Sequence, residues 1–314
     1  MEPQLIESLD DLINGYRMDL ELQSKSHRTI RSYVNSVRYL SPMMEELGLD
    51  FISIEVVGLQ RLLSRIKQTG VKHSRIGNLF SGFNSFIDFL QFTKRRIDNP
   101  VPPFRKRYLQ RYKGSIQKVP RLTPTLQQMR EIIYSSNTEM EKAIHLILAK
   151  TGIRRMSLLA LKVSDIDLVK KTIRLSDEAK VASLILPIDF ETVNQIENWL
   201  HERQFETSLT EEALFVNSRG TALAKNTLAT IVREAGIRVG IHDSDAPRDA
   251  IDRRFSPHCY RHFMTTMMRR NGCPERIIAY LRGDAEKSIR DHYDHVDFQE
   301  VDHHYNAHIW RLNR

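Results

Sequence analysis

Residues 256–293, SPHCYRHFMTTMMRRNGCPERIIAYLRGDAEKSIRDHY, constrain this chain more than any other stretch. Ser256-Pro257 reads as a helix start. A serine ahead of the first turn can accept from free backbone N–H groups, and proline suits the first helical position, where its missing N–H is no loss. His258 and Arg261 stand three residues apart and so share one helix face. His258 falls in the first turn, where unpaired N–H groups and the helix dipole favour an anion. An imidazole, a guanidinium and a helix N-terminus on one face suit a phosphate. Asn271-Gly272 ends the helix and Pro274 opens the next.

The overall charge agrees with a phosphate-bearing partner. The 314 residues carry a formal net charge of +8, which favours a polyanion but does not by itself identify one. At 41% hydrophobic content and this length, two domains are more natural than one. The two cysteines, Cys259 and Cys273, have no metal-site or disulfide spacing, so a reducing cytoplasm is the default. No apolar run is long enough to span a membrane, and the acidic start MEPQLIESLDD has no signal-peptide pattern. A cytoplasmic, nucleoid-associated protein with no membrane contact is expected.

The first hundred residues read as helices. Ile30, Tyr33, Val34, Val37 and Leu40 form one apolar stripe. Val56, Leu59, Leu62, Leu63 and Ile66 form a second, and Ile76, Leu79, Phe80, Phe83, Phe86, Ile87 and Leu90 a third. Asn99-Pro-Val-Pro-Pro breaks the helical pattern. A basic run follows, with Arg105, Lys106, Arg107, Arg111, Lys113, Lys118 and Arg121 interleaved with Tyr108 and Tyr112. Thr123-Pro124 reads as the cap of a second domain. Thr151-Gly152 breaks the chain and sets Arg154 at a helix start. TIRL and SLILPI, within residues 172–188, are strand-like runs around the polar turn Ser176-Asp-Glu-Ala-Lys180. Helices follow over 190–205 and 223–239, the second carrying Lys225, Arg233 and Arg238.

Four boxes together resemble the tyrosine recombinases, the phage integrase family. His258-Cys-Tyr-Arg261-His262 is similar to its HxxR box. Leu281-Arg-Gly283-Asp284 sits where the family has Leu-x-Gly-His, and Tyr293-Asp-His295 resembles its Tyr-x-His, nine residues after Asp284. Thr151-Gly-Ile-Arg154 resembles the first arginine box. The resemblance implies a mostly α fold with a small β-hairpin or sheet, built as a two-domain DNA clamp. Residues 1–100 would be a helical core-binding domain, 101–121 a basic linker and 122–314 an α+β catalytic domain. It implies a site of Arg154, Lys180, His258, Arg261, Asp284 and Tyr293, with Lys180 carried on the hairpin. In such a clamp the linker must pass the duplex, so Arg105, Lys106, Arg107, Arg111 and Lys113 would lie along phosphates, and Lys225 would stand on a helix docked in the major groove. Two departures stand out. Ser157 occupies the place of a usual acidic residue, and Asp284 that of a His or Trp that donates to the scissile phosphate. An ionised aspartate cannot donate, so the site would be dead, or Asp284 protonated, or Asp284 turned to hold Arg261 or His258; the third is favoured.

The chemistry implied is cleavage without metal or cofactor, through a 3′-phosphotyrosine on double-stranded DNA, with four protomers on two sites and no small-molecule substrate. Integration and excision of a mobile element from a virus or plasmid is the leading role. The alternatives are a Xer-type resolvase of chromosome or plasmid dimers and a regulator with a decayed site. A type IB topoisomerase would use similar chemistry alone. Tyr305 lacks the nucleophile's spacing, and the tail after Tyr293 could pack at home or dock onto a neighbouring protomer.

Overall fold

The apolar stripes of the N-terminal hundred residues fold into α1 (Leu9–Leu22), α2 (His27–Glu46), α3 (Val56–Gln68) and α4 (His73–Phe92). The computed structural model describes residues 8–110, 119–175, 184–208, 210–247, 249–284 and 297–312. The chain divides into two compact units, residues 1–117 and 118–314. In the first, α4 supplies the centre of the core: Phe80, Phe83, Phe86, Ile87 and Leu90 have no exposed surface. Fully burying each such side chain contributes about 1.5–3 kcal/mol. Phe51 meets Phe83 and Phe86 at ring centroids of 5.7 and 5.3 Å. Arg96 is buried among carbonyls, donating to Phe51, Ile52 and Ile54 at 3.2, 3.0 and 2.6 Å, and so ties the α2–α3 connection to the end of α4.

The linker expectation needs correction at its start. Residues 101–108 form a helix, α5 (Val101–Tyr108), packed on the same core through Val101 and Phe104. Pro102 and Pro103 do not break it, because they occupy its first turn, where no intrahelical N–H donor is needed. Arg105, Lys106 and Arg107 then fall in the last turn, where cations suit the helix dipole.

The second unit runs α6 (Leu126–Tyr134), α7 (Glu139–Thr151), α8 (Arg155–Leu159), β1 (Ile166–Asp167), β2 (Thr172–Leu175) and β3 (Leu184–Pro187). It continues through α9 (Phe190–Glu206), α10 (Lys225–Arg238), α11 (Pro257–Arg270), α12 (Glu275–Leu281) and α13 (Phe298–His308). The chain thus adopts the expected class, mostly α with a small sheet. That sheet is antiparallel in the order β1-β2-β3, and its register pairs Ile173 with Leu186, both fully buried. Strand β1 has no sequence signal of its own, being only two residues long. Helix α6 is capped by Thr125 in a reciprocal pair with Gln128, two residues later than the cap expected at Thr123.

Helix α7 is buried all round from Ala143 to Thr151, with α9 and α11 packed against it. The tail packs at home. Val301 and Tyr305 of α13 have no exposed surface, and Trp310 and Leu312 are buried. Lys150, fully buried at the end of α7, locks this arrangement. Its Nζ donates to Asp189 at 2.6 Å, to Glu191 at 2.7 Å and to the Trp310 carbonyl at 2.5 Å. Among the described residues no helix is long and apolar enough to cross a membrane.

Candidate active site

Helix α11 carries the centre of the site. Its inward face is Cys259, Tyr260, Phe263 and Met264, all fully buried, which leaves His258 and His262 exposed one turn apart. Tyr260 Oη and His145 Nδ1 lie 2.6 Å apart within the core, fixing the first turn of α11 against α7. Burial lowers the His145 pKa to about 3, so the ring is neutral. Ser256 is the residue before α11, as expected, but its hydroxyl caps nothing. It lies instead 3.4 Å from Arg121 Nη1 and 3.5 Å from Cys259 Sγ. Pro274 precedes α12 as its cap residue and does not enter the helix.

Arg261 and Arg154 come together from elements 107 residues apart in sequence. Arg261 points inward from α11 with 7% of its side chain exposed; Arg154, the residue before α8, is 54% exposed. One guanidinium is built into the wall and the other stands in front of it. Arg261 Nη1 donates to the Gly152 carbonyl at 3.1 Å. Gly152 has a φ of +64°, and a Cβ there would stand 2.7 Å from Met264 Cε, so the break before Arg154 requires glycine twice over. Arg154 Nη1 donates to the carbonyls of Arg282 and Gly283 at 3.2 and 3.1 Å.

Asp284 faces both arginines. Its Oδ1 accepts from Arg261 Nη2 at 2.7 Å and lies 3.4 Å from Arg154 Nη2, and its Oδ2 lies 3.1 Å from Arg282 Nη2. Burial and the neighbouring Arg154 pull the Arg261 pKa down to about 10, against the opposing pull of Asp284, and it remains a cation at neutral pH. The His258 pKa is lowered by the partial burial of its ring and by the surrounding cations, Arg121 first. His258 is therefore neutral at pH 7 and able to accept a proton.

Lys180 and Tyr293 lie outside the described residues, as do Arg111 and Lys113. The strands flanking the Lys180 turn are described, and Leu184 lies 3.1 Å from where a Cβ on Gly283 would stand, which brings the base of the hairpin against the Asp284 box. Of the other expected DNA contacts, Lys225 is exposed in the first turn of α10. Lys106 and Arg107 are exposed on α5, whereas Arg105 is partly buried with Nη2 donating to Ser81 Oγ at 2.9 Å. Two residues that the sequence did not single out for the site belong to its surroundings. Arg282 was visible as the variable position of the Leu-x-Gly box. Arg121 closes the basic run in sequence, but the chain beside it is fastened to the catalytic unit by the bond from Leu122 N to the Ile251 carbonyl at 3.0 Å. Among the described residues no group of three His, Cys, Asp or Glu is disposed to hold a metal ion.

A profile of the phage integrase family matches residues 120–300, more than half of the chain. The chain belongs to the phage integrase family. It is thus a tyrosine recombinase, a site-specific DNA strand transferase. Curated relatives include the tyrosine recombinase XerD of Chlorobaculum tepidum, 23% identical over 87% of either chain. Another is the tyrosine recombinase XerA of Pyrococcus horikoshii, 24% identical over 91% of this chain and 89% of that one. Among solved structures, the Tn1549 transposon integrase in complex with a circular intermediate DNA superposes with a TM-score of 0.67 at 16% identity, covering 92% of this chain and 96% of that one. A lambda integrase dimer bound to a COC′ core site gives 0.64 at 15%, covering 92% and 99%. These two likenesses are of fold.

Proposed function

We propose that this tyrosine recombinase cleaves and rejoins duplex DNA through a 3′-phosphotyrosine on Tyr293, with Arg154 and Arg261 binding the scissile phosphate. The observation that carries the reading is the convergence of those two guanidinium groups beside the first turn of α11, with their Nη2 atoms 2.7 and 3.4 Å from one carboxylate oxygen. Planar arginine forks match the non-bridging oxygens of a phosphate and stabilise the charge that grows on them in the transition state. Neutral His258 takes or positions the phenolic proton of Tyr293, and Lys180 protonates the departing 5′ oxygen. Phenolate is a better leaving group than an alkoxide, so attack by the 5′ hydroxyl of a partner strand reverses the step and joins new ends. Asp284 orients Arg261. Tyr305 is not the nucleophile, because it is fully buried and its phenol pKa is pushed well above 10 by that burial.

Four protomers on two duplexes carry out the exchange. Integration and excision of a mobile element is the role read from the boxes. Dimer resolution is the second reading, and the Xer recombinases, matched over most of their length, favour it. The test is to incubate the full chain with source-genome fragments in chelator, recover covalent complexes and sequence their ends. Adducts at a discrete site, lost in Tyr293→Phe and kept in Tyr305→Phe, are expected. Exchange between two such sites on one plasmid separates recombination from simple relaxation. A site flanking an inserted element supports integration, and a single chromosomal site supports resolution. Absence of any adduct with the unaltered chain supports the regulator.

A further inference from the structure

Three arginines meet one carboxylate at the site, and only two of them, Arg154 and Arg261, have a role in phosphate binding. Both of those have Nη1 already committed to backbone carbonyls, Arg261 on Gly152 at 3.1 Å and Arg154 on Arg282 and Gly283 at 3.2 and 3.1 Å. Their Nη2 groups both face Asp284 Oδ1. A phosphate oxygen approaching the forks therefore competes with that carboxylate oxygen for the same donors. A carboxylate left in place beside the phosphate adds like-charge repulsion, which disfavours the dianionic transition state.

The other carboxylate oxygen has a separate partner. Asp284 Oδ2 lies 3.1 Å from Arg282 Nη2, and Arg282 Nε is buried with no hydrogen-bond partner among the described residues. A guanidinium presents Nε and one Nη as a parallel fork that fits both oxygens of a carboxylate. Arg282 thus has one arm on Asp284 and a second donor unused, and an unpaired buried donor is costly. A carboxylate released from Arg154 and Arg261 can fill it.

We propose that Arg282 is a positioning residue that takes up the Asp284 carboxylate when a phosphate displaces it from Arg154 and Arg261. In the free protein Asp284 stands in for the phosphate and keeps the two catalytic forks aligned. In the bound state it closes onto Arg282 through Nε and Nη2, where its charge is neutralised and turned from the phosphate. This inference rests on the proposed phosphate role of Arg154 and Arg261.

A double-mutant cycle tests it, because the function of Arg282 then exists only while residue 284 is charged. Single-turnover cleavage of a nicked substrate carrying the protein's own site is measured for the unaltered chain, Arg282→Ala, Asp284→Asn and the double variant. Arg282→Ala is expected to slow cleavage by about tenfold or more alone, and by less than about twofold in the Asp284→Asn background. Equal slowing in both backgrounds would overturn the proposal and make Arg282 a direct DNA contact. The same four full-length proteins are titrated calorimetrically with inorganic phosphate, without DNA. Phosphate affinity is expected to fall with Arg282→Ala only where Asp284 is present; an equal fall in both backgrounds again overturns the proposal. This arm is independent of cleavage. An unaltered chain that binds phosphate with that pattern but cleaves nothing would sink the proposed function and leave the positioning role standing.

Discussion

Arg261 Nη2 donates to Asp284 Oδ1 at 2.7 Å, joining the arginine of the first turns of α11 to the residue after the glycine that follows α12. The contact lies where the resembled family has a neutral donor, and it engages the carboxylate with an arginine rather than leaving it facing the site unpaired. Asp284→Ala is expected to lower cleavage more than DNA binding, since the forks of Arg154 and Arg261 are then no longer held in register to receive the phosphate, and misplaced forks lose transition-state contacts first. Asp284→Asn is expected to be milder, because the amide oxygen still accepts from Arg261. Single-turnover rates and binding isotherms on one substrate check the order; equal rates for all three proteins would remove Asp284 from the chemistry.

If His258 acts as proposed, it sets the acid side of the pH profile. Its folded pKa is lowered below the ordinary value of about 6.5, so its neutral form persists as pH falls past that point. The acid limb of cleavage, where the ring protonates, should therefore be centred below 6.5. The acid limb should disappear in His258→Gln, whose overall rate is lower. A limb centred at or above 6.5 in the unaltered chain would contradict the surroundings described for this ring.

Lys150 is the internal fastener of the catalytic unit. Removing its charge leaves Asp189 and Glu191 facing one another in a largely buried place, with the Trp310 carbonyl unbonded. Lys150→Met should destabilise this unit by about 3–5 kcal/mol, the usual cost of breaking a buried ion pair from one side. Adding Asp189→Asn and Glu191→Gln should recover a large part of the loss. Urea unfolding followed by tryptophan fluorescence reads it, because Trp310 sits in the contact and Trp199 in the same core.

The basic last turn of α5 is expected to supply sequence-independent affinity. Neutralising Arg105, Lys106 and Arg107 together should weaken binding to every duplex alike and flatten the salt dependence by up to about one unit per lost phosphate contact. Lys106 and Arg107 should account for most of the change, since Arg105 is partly buried and already bonded to Ser81. An unchanged slope in the triple variant would make these residues a solvated face.

The local elements were legible along the chain. Helices α2, α3 and α4 were legible because an apolar stripe repeats at the helical period whatever it packs against. Strands β2 and β3 were legible as β-rich runs around a polar turn. The box around His258 was legible because a helix start and a three-residue spacing are properties of one segment. Which charges face each other was not legible there. Arg154, Arg261, Arg282 and Asp284 meet because α7, α8, α11 and α12 pack around one core, and no local pattern encodes such a meeting. Lys150 illustrates the same limit: an isolated lysine at a helix end reads as solvated, and its burial follows from carboxylates 39 and 41 residues away and a carbonyl 160 away. Pro102 and Pro103 read as a break because proline is compatible with both a linker and a first helical turn. Phe104, buried against Phe80 with ring centroids 5.5 Å apart, selects the helix. Periodicity and capping act between neighbours in sequence, whereas ion pairing and burial act between neighbours in space, and those neighbours exist only once the chain has folded.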